Sequence, residues 1–247
     1  RHWASGGNDP SAEKQRELSL SIDGELRSSS VPQVRVRTLN AEPVCAEADF
    51  VLYWMIAARR TRYNFALQQA VDWAKELGKP LVVFEPLRCG YQWASDRLHA
   101  FVIDGMVANA KLLAGKSVTY YPYLEPEHGA GSGLLAALAR QACLIVTDDY
   151  PCFFLPRMTS AAAAKCGVRM ESIDSNGLLP MRAADKVFAR AYDFRRFLQK
   201  NLRQHLHEFP KLDPLRGVKL PQLDELPKAI SKPWASAALH EFSVVSN

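Results

Sequence analysis

Short apolar runs alternate with amphipathic segments along the middle of this chain. The runs are rich in β-branched and aromatic residues, which is typical of strands buried on both faces, and they span residues 50–55, 81–84, 117–121, 143–147 and 168–173. Between them, apolar residues recur every three or four positions, which predicts helices over 63–77, 93–113, 134–141 and 156–165. The pattern therefore predicts strands and helices in regular alternation.

Glycine and proline mark several predicted element ends. Gly78 is expected to end the first helix, and the proline two residues later prevents the helix from resuming. Pro122 is expected to close the third strand, since proline has no N–H to donate. A last amphipathic helix, with aromatic residues interleaved with arginines, is predicted over 184–209 and is stopped by Pro210.

Strands that alternate with helices predict an α/β fold. We expect a five-stranded parallel Rossmann-like sheet with helices on both faces, because parallel strands need helical crossovers. In such sheets ligands bind beyond the carboxyl ends of the strands, near the point where the strand order reverses. The loops after the predicted strands are therefore the places to look for a site.

The two ends of the chain differ from its middle. Residues 1–33 are polar and contain few large apolar side chains, so we predict a disordered tail. Residues 34–210 carry the regular pattern and form the predicted α/β domain. Residues 211–247 are punctuated by prolines, which is typical of a linker that runs over a surface towards another domain. The chain begins with Arg rather than Met, which suggests a fragment.

Composition narrows the class of protein only a little. The chain has a net charge of +5 and a pI near 9.0, which is compatible with a nucleic-acid partner but does not require one. It contains no long apolar run and no apolar segment typical of a secretory signal, so we expect no membrane partner and a cytoplasmic location. The five cysteines lack metal-ligand spacing, so we expect reduced thiols and no metal site.

Motifs for self-sufficient chemistry are weak. Neither the dinucleotide-binding nor the P-loop glycine pattern occurs. Asp148 and Asp149 follow a predicted strand and could serve acid–base or metal chemistry, although helix capping or loop hydrogen bonding explains them more simply. The glycine-rich segment 129–133 could cradle an anion or be a flexible connection. The basic and aromatic residues of 188–206 could contact nucleic acid or form an amphipathic cover with a solvated face.

Several segments, in order, resemble class II cyclobutane-pyrimidine-dimer photolyases. Residues 51–55 read Val-Leu-Tyr-Trp-Met and 64–67 read Asn-Phe-Ala-Leu, similar to the opening Val-x-Tyr-Trp-Met and Asn-Trp-Ala-Leu of that family. Residues 144–151 and 172–180 resemble its next two strand ends, and 186–210 resemble a helix that ends in Glu-Phe-Pro. The resemblance covers about residues 34–234.

The chain also departs from the family pattern. The family's Arg-x-Gln-Arg is replaced by Ile-Ala-Ala-Arg-Arg at 56–60, its Trp by Phe65, and its Pro-Cys-Trp by Pro-Met-Arg at 180–182. These changes suggest a divergent branch and leave the identity of any antenna pigment open.

The resemblance implies the N-terminal antenna-type domain of a deoxyribodipyrimidine photolyase, a flavoprotein lyase that repairs DNA by photoreactivation. In that family a helical C-terminal domain binds FAD and flips the pyrimidine dimer out of the duplex. This chain ends before that domain, so the resemblance implies an inactive fragment without catalytic residues. It also implies a possible antenna chromophore such as a deazaflavin, and damaged DNA as a partner through the missing domain. We expect a monomer.

Position at the strand ends gives the candidate residues of an antenna cleft. They are Trp54, Met55, Arg59, Glu85, Arg88, Asp148, Asp149 and Asn176. Two other readings remain open. The domain could be a non-catalytic, flavodoxin-like module that binds a nucleotide or a partner, or it could belong to a cryptochrome-like light sensor.

Overall fold

A computed structural model of the protein describes residues 18–20 and 26–239. The strands are β1 (Leu18–Leu20), β2 (Leu26–Ser28), β3 (Val36–Thr38), β4 (Phe50–Trp54), β5 (Leu81–Leu87), β6 (Thr119–Leu124), β7 (Ala142–Asp149) and β8 (Met170–Asp174). The α-helices are α1 (Phe65–Leu77), α2 (Asp96–Leu113), α3 (Leu134–Ala139), α4 (Leu155–Ala163), α5 (Ala191–Asn201) and α6 (Lys228–Ser231). Short 3-10 turns cover Gln33–Arg35, Met181–Ala183 and Leu202–His205.

A six-stranded sheet organises the fold, in the order β3-β8-β7-β4-β5-β6. Strands β4 to β8 run parallel to one another, as predicted, whereas the sixth strand, β3, was not predicted and pairs antiparallel with β8. The chain starts the parallel sheet at β4, moves outwards through β5 and β6, and then returns to the other side of β4 with β7 and β8. The strand order therefore reverses between β4 and β7, as in doubly wound α/β folds.

The two faces of β4 belong to separate cores. Tyr53 packs in the cluster that contains α1, whereas Trp54 packs in the cluster that contains α3 and α4. Every residue of β4 is buried, which is why the strand reads as a continuous apolar run rather than as alternating positions. Helices on both faces of a mostly parallel sheet confirm the predicted fold class.

Two predicted element ends were wrong. Pro122 does not close the third strand, because β6 continues to Leu124. It is tolerated there since β6 is the edge of the sheet and has a ladder partner on one side only. The predicted helix over 184–209 is shorter in the structure, where it spans α5 and the turn that follows. Phe188 folds back against the ring of Phe197 at 5.0 Å instead of extending the helix.

The segment after residue 210 packs on the α/β domain. Leu215 and Leu220 are buried in the core on the α1 side, and Ile230 is buried in the core on the other side. The backbone N–H of Ala237 donates to the carbonyl of Pro122 (2.9 Å), so this segment covers part of the β6 edge. Its predicted role as a linker stays a prediction.

The predicted disordered tail, residues 1–33, falls largely outside the described residues. Within the part that is described, β1 and β2 pair antiparallel. In residues 18–20 and 26–239, no helix combines the length and the apolar character needed to cross a bilayer.

Gly78 should be sensitive to substitution because of its backbone conformation at the end of α1. It ends α1 in the left-handed conformation (φ 62°), and a Cβ added there would meet nothing within 4 Å, so the cost of Gly78→Ala is backbone strain alone. We expect the free energy of unfolding to fall by about 1 kcal/mol. Gly105, inside α2, is the matched control, because Gly105→Ala also meets no neighbour within 4 Å and should stabilise by about 0.5–1 kcal/mol. Urea unfolding measures both, and changes of the same sign would contradict the assignment.

Candidate functional site

A cavity of about 500 Å³ opens at the carboxyl ends of β4, β5 and β6. Trp54 from β4, Phe84 from β5 and Tyr123 from β6 line its sheet side. The remaining walls come from the loop after β5, from α2, from the glycine-rich loop and from the start of α4. Apolar and aromatic side chains predominate in the lining: Ile56, Pro86, Leu87, Tyr91, Val102, Leu134, Leu135, Phe153, Phe154, Leu155 and Met158.

Asp148, at the end of β7, fixes the loop that follows β4. Its Oδ2 accepts from the backbone N–H groups of three successive residues, Ile56 (2.9 Å), Ala57 (2.7 Å) and Ala58 (2.9 Å). Its Oδ1 accepts from the hydroxyl of Tyr53 (2.8 Å). Burial and the adjacent carboxylate raise the pKa of Tyr53 well above its ordinary value, so the hydroxyl keeps its proton. Asp148 is therefore occupied by the fold, as the loop-bonding interpretation predicted.

Asp149 lies on the other side of β7 from the cavity. Its carboxylate pairs with Arg37 (3.1 Å) and Arg182 (3.4 Å). Burial raises its pKa above the ordinary value, although both arginines act in the opposite direction. Asn176 donates to the backbone carbonyl of Asp149 (2.7 Å) and to the carboxylate of Asp174 (3.0 Å). These residues join the ends of β7 and β8 rather than lining the cavity.

Glu85 is fully buried beneath the cavity and holds Arg59 in its wall. The carboxylate accepts from Arg59 (3.1 Å), from the amide of Asn109 (3.0 Å) and from the hydroxyl of Tyr120 (2.8 Å). Burial and the charge of Glu85 raise the pKa of Tyr120, which keeps that hydroxyl a donor. Arg59 also donates to the carbonyl of Pro86 (2.6 Å), so its guanidinium is fixed at two points.

Glu125 holds the glycine-rich loop, residues 129–133, through hydrogen bonds to its backbone. One carboxylate oxygen accepts from the N–H groups of Gly129 (3.1 Å) and Gly131 (3.3 Å), and the other accepts from the N–H of Cys89 (3.1 Å). Partial burial raises the pKa of Glu125, but the hydrogen bonds from Gly131, Cys89 and Gly129 outweigh it, and the net pKa is lowered. The anion that this loop cradles is thus a side chain of the protein itself.

Aromatic side chains cluster at the mouth of the cavity. The rings of Trp93 and Phe153 stack with centroids 5.5 Å apart and an interplanar angle of 11°, and Tyr91 and Phe154 lie beside them. Trp93 is 71% exposed. Both stacked residues have positive φ (68° and 67°), which is uncommon for bulky side chains and often marks functional positions.

The predicted cleft residues divide into three groups. Trp54, Arg59 and Arg88 line the cavity. Met55, Glu85 and Asp148 are buried behind it or beside it, and Asp149 and Asn176 lie at the neighbouring strand ends. The assignment of these residues to a cofactor stays a prediction. Sequence reasoning missed Glu125 and the aromatic residues at the mouth of the cavity. The only signal for the aromatic residues was their number in two loops.

The arrangement suits binding better than acid–base chemistry. The carboxylates of Glu85 and Glu125 already accept hydrogen bonds from the protein. Partial burial and the contact with Glu125 raise the pKa of the Cys89 thiol, which disfavours the reactive thiolate. Across the described ranges, no three His, Cys, Asp or Glu side chains are grouped so as to hold a metal ion. A doubly wound sheet with an apolar cavity at its carboxyl edge defines a Rossmann-like α/β domain suited to a small ligand.

Two curated proteins are similar to this chain over about three quarters of its length. The chain is 28% identical over 191 residues to a deoxyribodipyrimidine photo-lyase of Methanothermobacter thermautotrophicus, a match that covers 77% of this chain and 41% of the relative. It is 27% identical over 201 residues to a deoxyribodipyrimidine photo-lyase of Arabidopsis thaliana, covering 75% of this chain and 38% of the relative. No protein-family model matches the chain. The two similarities support the photolyase family, and the chain spans about two fifths of the length of these relatives.

The two adjacent aspartates should respond very differently to substitution. In Asp148→Asn, four donors would face an amide that offers one acceptor oxygen, so we expect a loss of about 2–4 kcal/mol of unfolding free energy. Asp149→Asn removes a charge whose burial is unfavourable and two partly exposed ion pairs, so we expect a change below about 1 kcal/mol. Thermal unfolding followed by circular dichroism compares them, and equal losses would contradict the assigned role of Asp148.

The hydrogen bonds of Glu125 should protect the glycine-rich loop from exchange. In Glu125→Gln, one acceptor oxygen becomes a donor amide, so we expect the N–H groups of Gly129 and Gly131 to exchange with solvent about tenfold faster or more. In the native protein the lowered pKa keeps the carboxylate ionised, so protection should persist until the pH falls below the ordinary value of about 4.3.

Amide exchange followed by nuclear magnetic resonance gives the measurement, with the amides of β7 as internal control. Unchanged rates at both glycines would show that the loop is held without Glu125.

Proposed function

We propose that the chain is the N-terminal α/β domain of a class II-type deoxyribodipyrimidine photolyase and that its cavity binds a light-harvesting antenna pigment. The observation that carries the proposal is the cavity itself. It lies at the carboxyl edge of a doubly wound sheet, and its volume of about 500 Å³ falls within the range of small-molecule sites. The two photolyase relatives supply the family in which such a pigment would act.

The lining fits a flat aromatic pigment of the deazaflavin type. Phe84 and Tyr121 stack beside the sheet side of the cavity, and the pair of Trp93 and Phe153 stands at its mouth, so planar rings would meet planar partners. Arg59 and Arg88 would face the polar edge of the pigment. When bound, the pigment would absorb light and pass the energy to a flavin elsewhere in the longer protein.

A phosphate-bearing nucleotide fits the same cavity less well. The glycine-rich loop is where such folds usually offer free backbone N–H groups to phosphate, but here the N–H groups of Gly129 and Gly131 already bind Glu125. A carboxylate at that place would also repel a phosphate. The lining therefore favours the pigment over the nucleotide-binding alternative.

The repair reaction belongs to the longer protein in this proposal. The relatives extend well beyond the match, since only 41% and 38% of their lengths are covered. We place FAD, the damaged DNA contacts and the light-driven cleavage of pyrimidine dimers in the part that this chain does not include. The chain by itself would then serve as the antenna domain and would be inactive in repair.

Pigment retention tests the proposal directly. Purified protein mixed with deazariboflavin and passed through gel filtration should carry the pigment's absorption band with it at about one equivalent. Met158 lines the cavity, so Met158→Trp should fill part of it and reduce the retained band at least about fivefold. Leu178→Trp is the matched control, because Leu178 is exposed and does not belong to the lining, and it should bind normally.

Three outcomes would count against the proposal. Failure of the native protein to retain the pigment would remove the antenna role. Equal retention by both tryptophan variants would place any bound pigment outside this cavity. Tighter binding of a nucleoside diphosphate than of deazariboflavin would favour the flavodoxin-like alternative.

A further inference from the structure

The indole of Trp54 stands out among the groups that line the cavity. Trp54 is the last residue of β4, next to the point where the strand order reverses, and its side chain is 5% exposed. Within residues 26–239, its Nε1–H has no hydrogen-bond acceptor. A buried donor without an acceptor is unfavourable, so its presence in the wall of a cavity requires an explanation.

The indole N–H groups of three other tryptophans have an acceptor or lie at the surface. Trp73 donates its Nε1–H to the buried carboxylate of Glu171 (2.9 Å). Trp234 donates its Nε1–H to the backbone carbonyl of Ala130 (2.9 Å). Trp93 lies at the surface, where water is available. The fold therefore provides acceptors for two partly or fully buried indoles and leaves the donor of Trp54 unmatched.

Small adjustments of the backbone cannot supply an acceptor to Trp54. Its strand is paired on both sides, with Phe84 of β5 and with Thr147 of β7 opposite Trp54. The hydroxyl of Thr147 donates to the carbonyl of Trp54 itself (2.8 Å), which fixes this residue further. Moving the backbone of Trp54 would disturb the centre of the sheet, so an acceptor has to come to the side chain.

We infer that Trp54 is a specificity-determining residue whose indole N–H donates to an acceptor atom of the cavity ligand. The inference rests on the proposed function and adds to it the chemical class of the ligand edge that lies deepest in the cavity. That edge carries a carbonyl oxygen or an unprotonated ring nitrogen. A planar ring that presented only C–H groups there would leave the indole unmatched and would bind more weakly.

A phenylalanine at position 54 separates this role from packing. Trp54→Phe keeps an aromatic ring in the wall but removes the donor, so we expect the affinity for deazariboflavin to fall about tenfold. No protein hydrogen bond is broken, so any loss of stability comes from the smaller volume of the buried ring. Trp73→Phe is the matched control on the other face of the sheet. It breaks the bond to Glu171, so we expect lower stability with unchanged affinity.

Fluorescence titration with deazariboflavin and thermal unfolding give the two quantities. A proton–nitrogen correlation spectrum of isotope-labelled native protein adds a direct readout, in which the indole resonance of Trp54 should move downfield on titration while that of Trp73 stays in place. The resonances are assigned from the two phenylalanine variants.

The outcomes separate this inference from the proposed function. Binding of deazariboflavin with an unmoved Trp54 resonance and an unchanged affinity of Trp54→Phe would overturn the inference and leave the antenna role intact. Absence of binding to the native protein would overturn both. A reduced affinity of Trp54→Phe together with the downfield shift would establish the donor.

Discussion

The carboxylate of Asp148 holds together the point at which the sheet changes direction. Crossovers leave β4 and β7 towards opposite edges, so their carboxyl ends diverge and their loops have no helix in common. Asp148 bridges this gap by accepting three successive backbone N–H groups from the loop after β4 and the hydroxyl of Tyr53. Because Arg59 and the cavity wall follow directly in that loop, the shape of the cavity depends on a side chain that never lines it.

The carboxyl edge of the sheet differs on the two sides of that bridge. On the β7–β8 side, Asp149 binds two arginines and Asn176 joins the strand ends. On the β4–β6 side, Glu85 and Glu125 turn their charges towards protein donors and leave apolar and aromatic groups at the surface of the cavity. In the proposed function, a ligand there would be held by apolar contact and a few fixed donors.

The sequence predicted the elements whose buried side chains recur with a regular period. It failed where contacts between distant segments determine the structure. The parallel strands and α1 follow from apolar runs and a 3.6-residue pattern, and both are present. The three-residue β3 is too short to show a period, and Pro122 is acceptable only because β6 is an edge strand. The strand-end rule selected Trp54 and Asp148 alike, since it cannot tell whether a side chain meets a cavity or a neighbouring loop.

The same limitation explains why motif reading left the glycine-rich loop ambiguous. Glycines after a strand are typical of phosphate sites because they expose backbone N–H groups, but the availability of those groups depends on what the fold brings to them. Here Glu125, four residues before Gly129, occupies them and converts a potential anion site into a rigid wall. Aromatic residues from two loops, Trp93 and Phe153, then meet at the mouth in strained conformations. Strain of this kind persists only where surrounding contacts impose it, so the stacked pair is held in place by the fold, and under the proposed function its flat faces would meet a planar pigment.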